Sequence, residues 1–184
     1  MLITAVLLLI YSFKNRTNNN VQEQYIILNK IGNIELREYR ESVNASYYSK
    51  EKAERNNYFK NLAAYIFGDN TEKASIDMTS PVTMKLYGNK EMIFRMPSNY
   101  TLDNLPKANN PKINFMTIAS CTKAAIQYSG YSNKNIEEKK IQELTNILER
   151  ENIKHDNKFE LLVYNSPFEI LNRRNEITIN IIYP

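Results

Sequence analysis

Phe59-Lys60-Asn61-Leu62-Ala63-Ala64-Tyr65-Ile66-Phe67-Gly68, followed by Met78-Thr79-Ser80-Pro81-Val82-Thr83-Met84, is the stretch on which the fold turns. Phe59, Leu62, Ala63 and Ile66 fall at i, i+3, i+4 and i+7, one face of a helix. Gly68 stands where a helix closes in the left-handed conformation that glycine adopts freely. Pro81 has no N–H to give to a ladder, so it marks the start or the edge of a strand. From Val82 to Leu86 apolar and polar side chains alternate, the period of a half-buried strand. The spacing predicts a helix over 51–67 and strands over 82–87 and 92–96, with Gly88-Asn89 as the turn between them.

Upstream, 25–28 and 34–39 read as strands flanking a loop in which Gly32 takes a positive φ. Residues 34–39 alternate apolar and charged side chains, so one face of that strand is expected to be wet. Residues 43–48 form a third strand. Downstream, 113–118 and 121–128 are strands, and Ser132 or Asn133 caps a helix running to 150. Ile136, Ile141, Leu144, Ile147 and Leu148 lie along one side of it. Strands over 159–164 and 176–182 close the chain. Strand-strand-helix-strand-strand therefore occurs twice, separated by a connector holding Pro97, Pro106 and Pro111. The expected fold is α+β: a distorted β-barrel of two pseudo-symmetric strand-strand-helix-strand-strand halves flanked by two helices.

The chain has 184 residues, 42% of them hydrophobic and 24% charged. Once an unlike N-terminal segment is set aside, that suits one domain, spanning 21–184. The net charge is +4, but the basic residues are interleaved with acids rather than gathered in a stripe, which argues against nucleic acid. The single cysteine, Cys121, excludes an intrachain disulfide and a cysteine-cluster metal site. The single histidine, His155, lies in a polar run after the second helix, which leaves a conventional Ser-His-Asp or Cys-His arrangement poorly supported. No catalytic or metal-ligating residue stands out, and binding is favoured over catalysis. Residues 1–13 are almost wholly apolar and are followed by Lys14, Arg16 and an Asn-rich run. Residues 1–20 are read as a hydrophobic membrane-targeting segment and polar tether. The chain is then membrane-associated or exported through that segment, and cytoplasmic if the segment is no signal.

Five stretches in fixed order carry a resemblance. They are Tyr65 to Gly68; Met78 to Met84; Phe94-Arg95-Met96-Pro97; Gln127-Tyr128-Ser129-Gly130-Tyr131; and Tyr164-Asn165-Ser166-Pro167 with Arg173-Arg174-Asn175-Glu176-Ile177. Together they resemble the SOUL/haem-binding-protein family. The resemblance implies a barrel of two pseudo-symmetric halves and a hydrophobic surface groove that takes haem or iron-free porphyrin. The groove would lie between the first helix and the loop before the last strand. Carried onto this chain, it implies contacts from Arg55, Phe59, Leu62, Ala63, Ile66, Pro167, Phe168, Ile170, Leu171, Arg173 and Arg174. Guanidinium forks suit the propionates, and the flat ring suits the apolar stripe. The usual early histidine is missing, so axial ligation by histidine at that position is not expected. The expected role is carrier or buffer, with a haem-processing enzyme or a general amphiphile-binding or interaction module as alternatives. Two structural readings stand beside these contacts. The stripe packs on the sheet as core, and Arg173 to Glu176 forms a turn with its arginine paired to an acid and its asparagine bonded to backbone.

Overall fold

The computed structural model describes residues 24–51, 57–166, 169 and 172–183. In chain order the elements are β1 (Tyr25–Ile31), β2 (Ile34–Tyr39), β3 (Ser42–Tyr47), α1 (Tyr58–Ile66), β4 (Val82–Lys85), β5 (Met92–Arg95), β6 (Ile113–Ile118), β7 (Cys121–Ser129), α2 (Lys134–Arg150), β8 (Lys154–His155), β9 (Glu160–Val163) and β10 (Arg174–Ile182). The fold is α+β, with two helices packed on one ten-stranded antiparallel sheet.

The sheet runs β1-β2-β7-β10-β9-β4-β5-β3-β6, with β8 added to β10. From β2 to β6 this order reads the same from either end when β2 is matched with β6, β3 with β7, β4 with β9 and β5 with β10. The two halves are therefore built alike, and each lends its first strand to the other: β2 pairs with β7, and β6 with β3. Among the described residues the hydrogen bonding ends at β1 and β6, so the ladder does not close into a barrel. The β1–β2 hairpin turns on Gly32, at φ +58°, and the first strand continues to Ile31, further than its apolar pattern alone indicates.

Each helix covers the apolar face of its own half. Leu144 and Leu148 of α2 pack on Ile34, Leu36, Ala124, Ile126, Ile177 and Ile179, all without solvent exposure. Under α1 the core is aromatic: Tyr47, Tyr58, Tyr65 and Phe94, with Leu62, Ile66 and Ile113. Helix α2 is supported by its own sequence. The Asn133 side chain accepts from the Ile136 N–H at 3.1 Å, Glu137 lies in the first turn and Arg150 in the last. Helix α1 has only nine residues and no side-chain cap, and it ends at Gly68, φ +110°. Its described start is seven residues later than the sequence spacing predicts, with 52–56 outside the described residues.

The opposite face of the sheet is polar, and the two halves turn it inward. Residues of β2, β3, β4, β5, β7 and β9 line one cavity between them. This corrects the expectation of a wet face on β2, because Arg37 is only 2% exposed. Alternation in sequence separates apolar from polar faces, but it does not say whether the polar face meets water or another polar face.

Candidate functional site

The stripe on α1 faces the sheet. Leu62 and Ile66 have 0% and 1% exposure, and Ala63 is also buried. Phe59 is half-buried, its ring edge-on to Phe94 with centroids 5.5 Å apart. These four side chains fix α1 in place, and Phe59 retains a partly open edge. Beside the first turn of the helix lies a surface groove of about 400 Å³. Tyr48, Tyr58 and Met84 give it ring and thioether walls, while Lys50 and Lys90 stand at it as cations. The Tyr58 hydroxyl is engaged, donating to the Ser49 carbonyl at 2.7 Å, and that bond ties the segment after β3 to the helix.

The two arginines before β10 are held by the protein. Nη1 of Arg173 donates to the carbonyls of Ser166 (2.9 Å) and Glu169 (2.7 Å), and its guanidinium lies 4.5 Å over the Tyr131 ring. Arg174 donates through Nε and Nη2 to Glu176 Oε1 at 3.1 and 2.7 Å, and stacks 4.1 Å over Tyr164. Asn175 donates to the Gly130 carbonyl at 2.7 Å. The pairing of arginine with acid and of asparagine with backbone is as expected, but Arg174, Asn175 and Glu176 stand in strand β10 and not in a turn. Arg55, Pro167, Phe168, Ile170 and Leu171 lie outside the described residues. The structure thus brings Phe59, Leu62, Ala63 and Ile66 together on the helix and Arg173 and Arg174 at the start of β10.

The sequence reading did not single out the ionic centre of the polar face. Glu176, with no exposure, receives Arg37 Nη1 at 2.6 Å and Nη2 at 3.0 Å, Arg174 from the side, and the Tyr164 hydroxyl at 2.8 Å. Arg37 also reaches Glu35 and the Tyr39 hydroxyl. Burial works against the Glu176 carboxylate, yet the hydrogen bonds and charge of the two guanidiniums hold its pKa below the ordinary value. Tyr164, desolvated and facing that carboxylate, is pushed well up and stays a hydroxyl donor. One signal was available in sequence: opposite charges at polar positions of β2 and β10, strands that both turn apolar residues to α2. Also missed was β8, which carries His155. That ring rests near Phe159 at 6.1 Å, and its Nδ1 accepts from the Asn157 N–H at 3.3 Å. Among the described residues no group of three or more His, Cys, Asp and Glu side chains is placed to hold a metal, and no helix is long and apolar enough to cross a membrane.

Among solved structures, the C-terminal domain of EcmrR superposes with a TM-score of 0.61 at 13% identity, covering 82% of this chain and 98% of that one. A hydrolase from Listeria innocua gives 0.60 at 9% identity, covering 84% and 94%. EcmrR in its DNA-bound transcription complex gives 0.60 at 12% identity, covering 97% of this chain and 65% of that one. At such identities the likeness is of fold alone. No curated protein sequence matches the chain. The model of the SOUL heme-binding protein family matches residues 21–180, most of the chain, in agreement with the five motifs read above. The chain belongs to the SOUL heme-binding protein family.

Proposed function

We propose that this protein captures haem or iron-free porphyrin against the surface beside α1, as a carrier or buffer, without histidine as axial ligand. The observation that carries the site is the groove of about 400 Å³ at the first turn of α1. Its size falls in the range of small-molecule sites, roughly 300–1,000 Å³. Tyr48 and Met84 offer a ring face and a polarisable thioether to a flat apolar ligand, with the edge of Tyr58 beside them, while Lys50 and Lys90 suit propionates that remain near water. Burial of each face of the macrocycle yields about 25 cal/mol per Å² of apolar area. Phe59 would extend this surface along α1, with Leu62, Ala63 and Ile66 anchoring the helix beneath it. Arg55, expected on the helix stripe, and the loop expected from Pro167 to Arg174 would complete the capture. Met84 and Tyr48 are the groove's side chains with chemistry suited to iron. Residues 1–13 would bring this activity to a membrane or an export route.

Titration of the full chain with hemin and with protoporphyrin tests this. Saturable binding of both, with affinities within a few-fold of each other, is expected for hydrophobic capture. A preference for hemin accompanied by a shifted Soret band would assign a ligand to the iron. Lys50→Glu with Lys90→Glu should weaken both ligands, since both side chains are exposed and neither holds the core. If instead only Arg173→Ala with Arg174→Ala weakens binding in a folded variant, the macrocycle sits on the loop and not in the groove. Absence of saturable binding of either porphyrin would remove the proposal. Protein-dependent ring opening under reductant and oxygen would make the protein an enzyme.

A further inference from the structure

The polar faces of the two halves do not fill the space between them. At the ends of β2 and β7, near Pro81, they leave a cavity of about 60 Å³. By the volume a water-sized probe needs, that is room for roughly four to six non-hydrogen atoms. Pro81, Ile93, Ile118 and Leu162 give it apolar walls, while Arg40, Arg95 and Lys123 are its cations and Glu160 its acid.

The charges do not cancel. Lys123 is taken up by a salt bridge to Glu160. Outside the lining of the cavity, Arg37 and Arg174 are matched by Glu35 and Glu176. Among the described residues Arg95 has no such match: its side-chain bond is a long one, Nη2 to the Glu41 carbonyl at 3.4 Å. Burial and the charge of Arg40 pull its pKa below the ordinary value, as happens to a cation short of counter-charge. The Arg40 side chain is exposed and forms no ion pair among the described residues.

We infer that this cavity is a second binding site, for a small monocarboxylate on a short apolar chain, its carboxylate received by Arg95 and Arg40 and its chain by Ile93, Ile118, Leu162 and Pro81. The guanidinium fork matches a carboxylate in two hydrogen bonds. A primary ammonium of the same length would meet two uncompensated arginines, while Lys123 already occupies Glu160. Phosphate lacks the apolar tail that Ile93, Ile118, Leu162 and Pro81 would receive. This inference does not rest on porphyrin binding, and its test contains no porphyrin.

The full chain is titrated with butyrate, n-butylammonium and inorganic phosphate at constant ionic strength, by calorimetry and by NMR of arginine Nε–H signals. Butyrate is expected to bind saturably and to move the Arg95 signal, with butylammonium and phosphate weaker. Arg95→Gln should lower butyrate affinity about tenfold or more, the size of a lost charge-assisted hydrogen bond. Because Arg95 is half-buried, Arg40→Gln at the exposed rim serves as the second variant, with a smaller loss expected and no effect on folding. The inference is overturned by non-saturable butyrate binding, by butylammonium or phosphate binding as tightly as butyrate, or by unchanged butyrate affinity in folded Arg95→Gln and Arg40→Gln.

Discussion

The halves of this molecule share a topology but not a means of support. Helix α2 has 17 residues, an asparagine cap, an acid in its first turn and a base in its last, and it covers an aliphatic core. Helix α1 has nine residues, no side-chain cap and no helpful charge at either end of its described length. It is held from outside by aromatic packing and by hydroxyls. Tyr58 donates to the Ser49 carbonyl and Tyr65 to the Pro106 carbonyl, at 2.7 and 2.9 Å. Nine residues are too few to be stable as an isolated helix, so α1 exists because the sheet and the connector hold it. The half that carries the proposed porphyrin groove is the half whose helix depends on tertiary contacts. That arrangement leaves its surface freer to adjust to a ligand than the α2 side.

The sharpest way to break the comparison is to strike what the halves share. Glu176→Ala leaves Arg174 without its acid and Arg37 with Glu35 alone, and a loss of about 4 kcal/mol is expected in urea unfolding. The sign of the pH effect follows from the lowered Glu176 pKa. Its contribution is complete above the ordinary glutamate range, near pH ~4.3, and fades as pH falls through the lower folded value. The wild-type chain should therefore lose stability on acidification more steeply than Glu176→Gln, as read by thermal midpoints across that window. A parallel slope would refute the assignment. Next in size, Leu62→Ala and Leu148→Ala each empty a fully buried site and should cost about 3 kcal/mol. They should differ in hydrogen exchange. Amides of α1 are expected to open below the global unfolding energy in Leu62→Ala, whereas α2 keeps its local protection in Leu148→Ala. Equal local protection in both helices would erase the distinction.

Smaller effects sharpen it. Burial pushes the Tyr65 phenol up to about 12, so it stays a donor at neutral pH. Tyr65→Phe should cost about 1 kcal/mol and loosen α1 against the connector, seen as a lower midpoint with an unchanged m-value. Asn133→Ala removes the cap of α2 and should cost about 1 kcal/mol. Its effect should appear as fraying of the first turn in amide exchange, with α1 untouched.

Much of this was legible in the chain. Periodicity located both helices and nearly every strand, since apolar spacing reports which side chains must leave water. Gly32 and Gly68 marked turns because only positive φ explains a glycine in those places. The five ordered motifs gave the family. The site was less legible. The helical stripe of Phe59, Leu62, Ala63 and Ile66 satisfies the pattern of a ligand face and of a core face equally well. Its burial in three of the four positions is decided by the sheet. The groove at Tyr48, Lys50, Tyr58, Met84 and Lys90 joins three separate parts of the chain, and no local pattern records that meeting. Two-residue β8 is too short to have a period.

The sequence by itself determined the alternation of strands and helices, the two-fold repetition and the family, because these follow from local spacing and ordered motifs. Only the tertiary structure decided that each half lends a strand to the other and that the polar faces turn toward each other. It also decided that Arg37 and Arg174 share Glu176. The physical reason is that charge pairs and cavities depend on which strands become neighbours, and neighbours distant in sequence are chosen by the whole sheet at once.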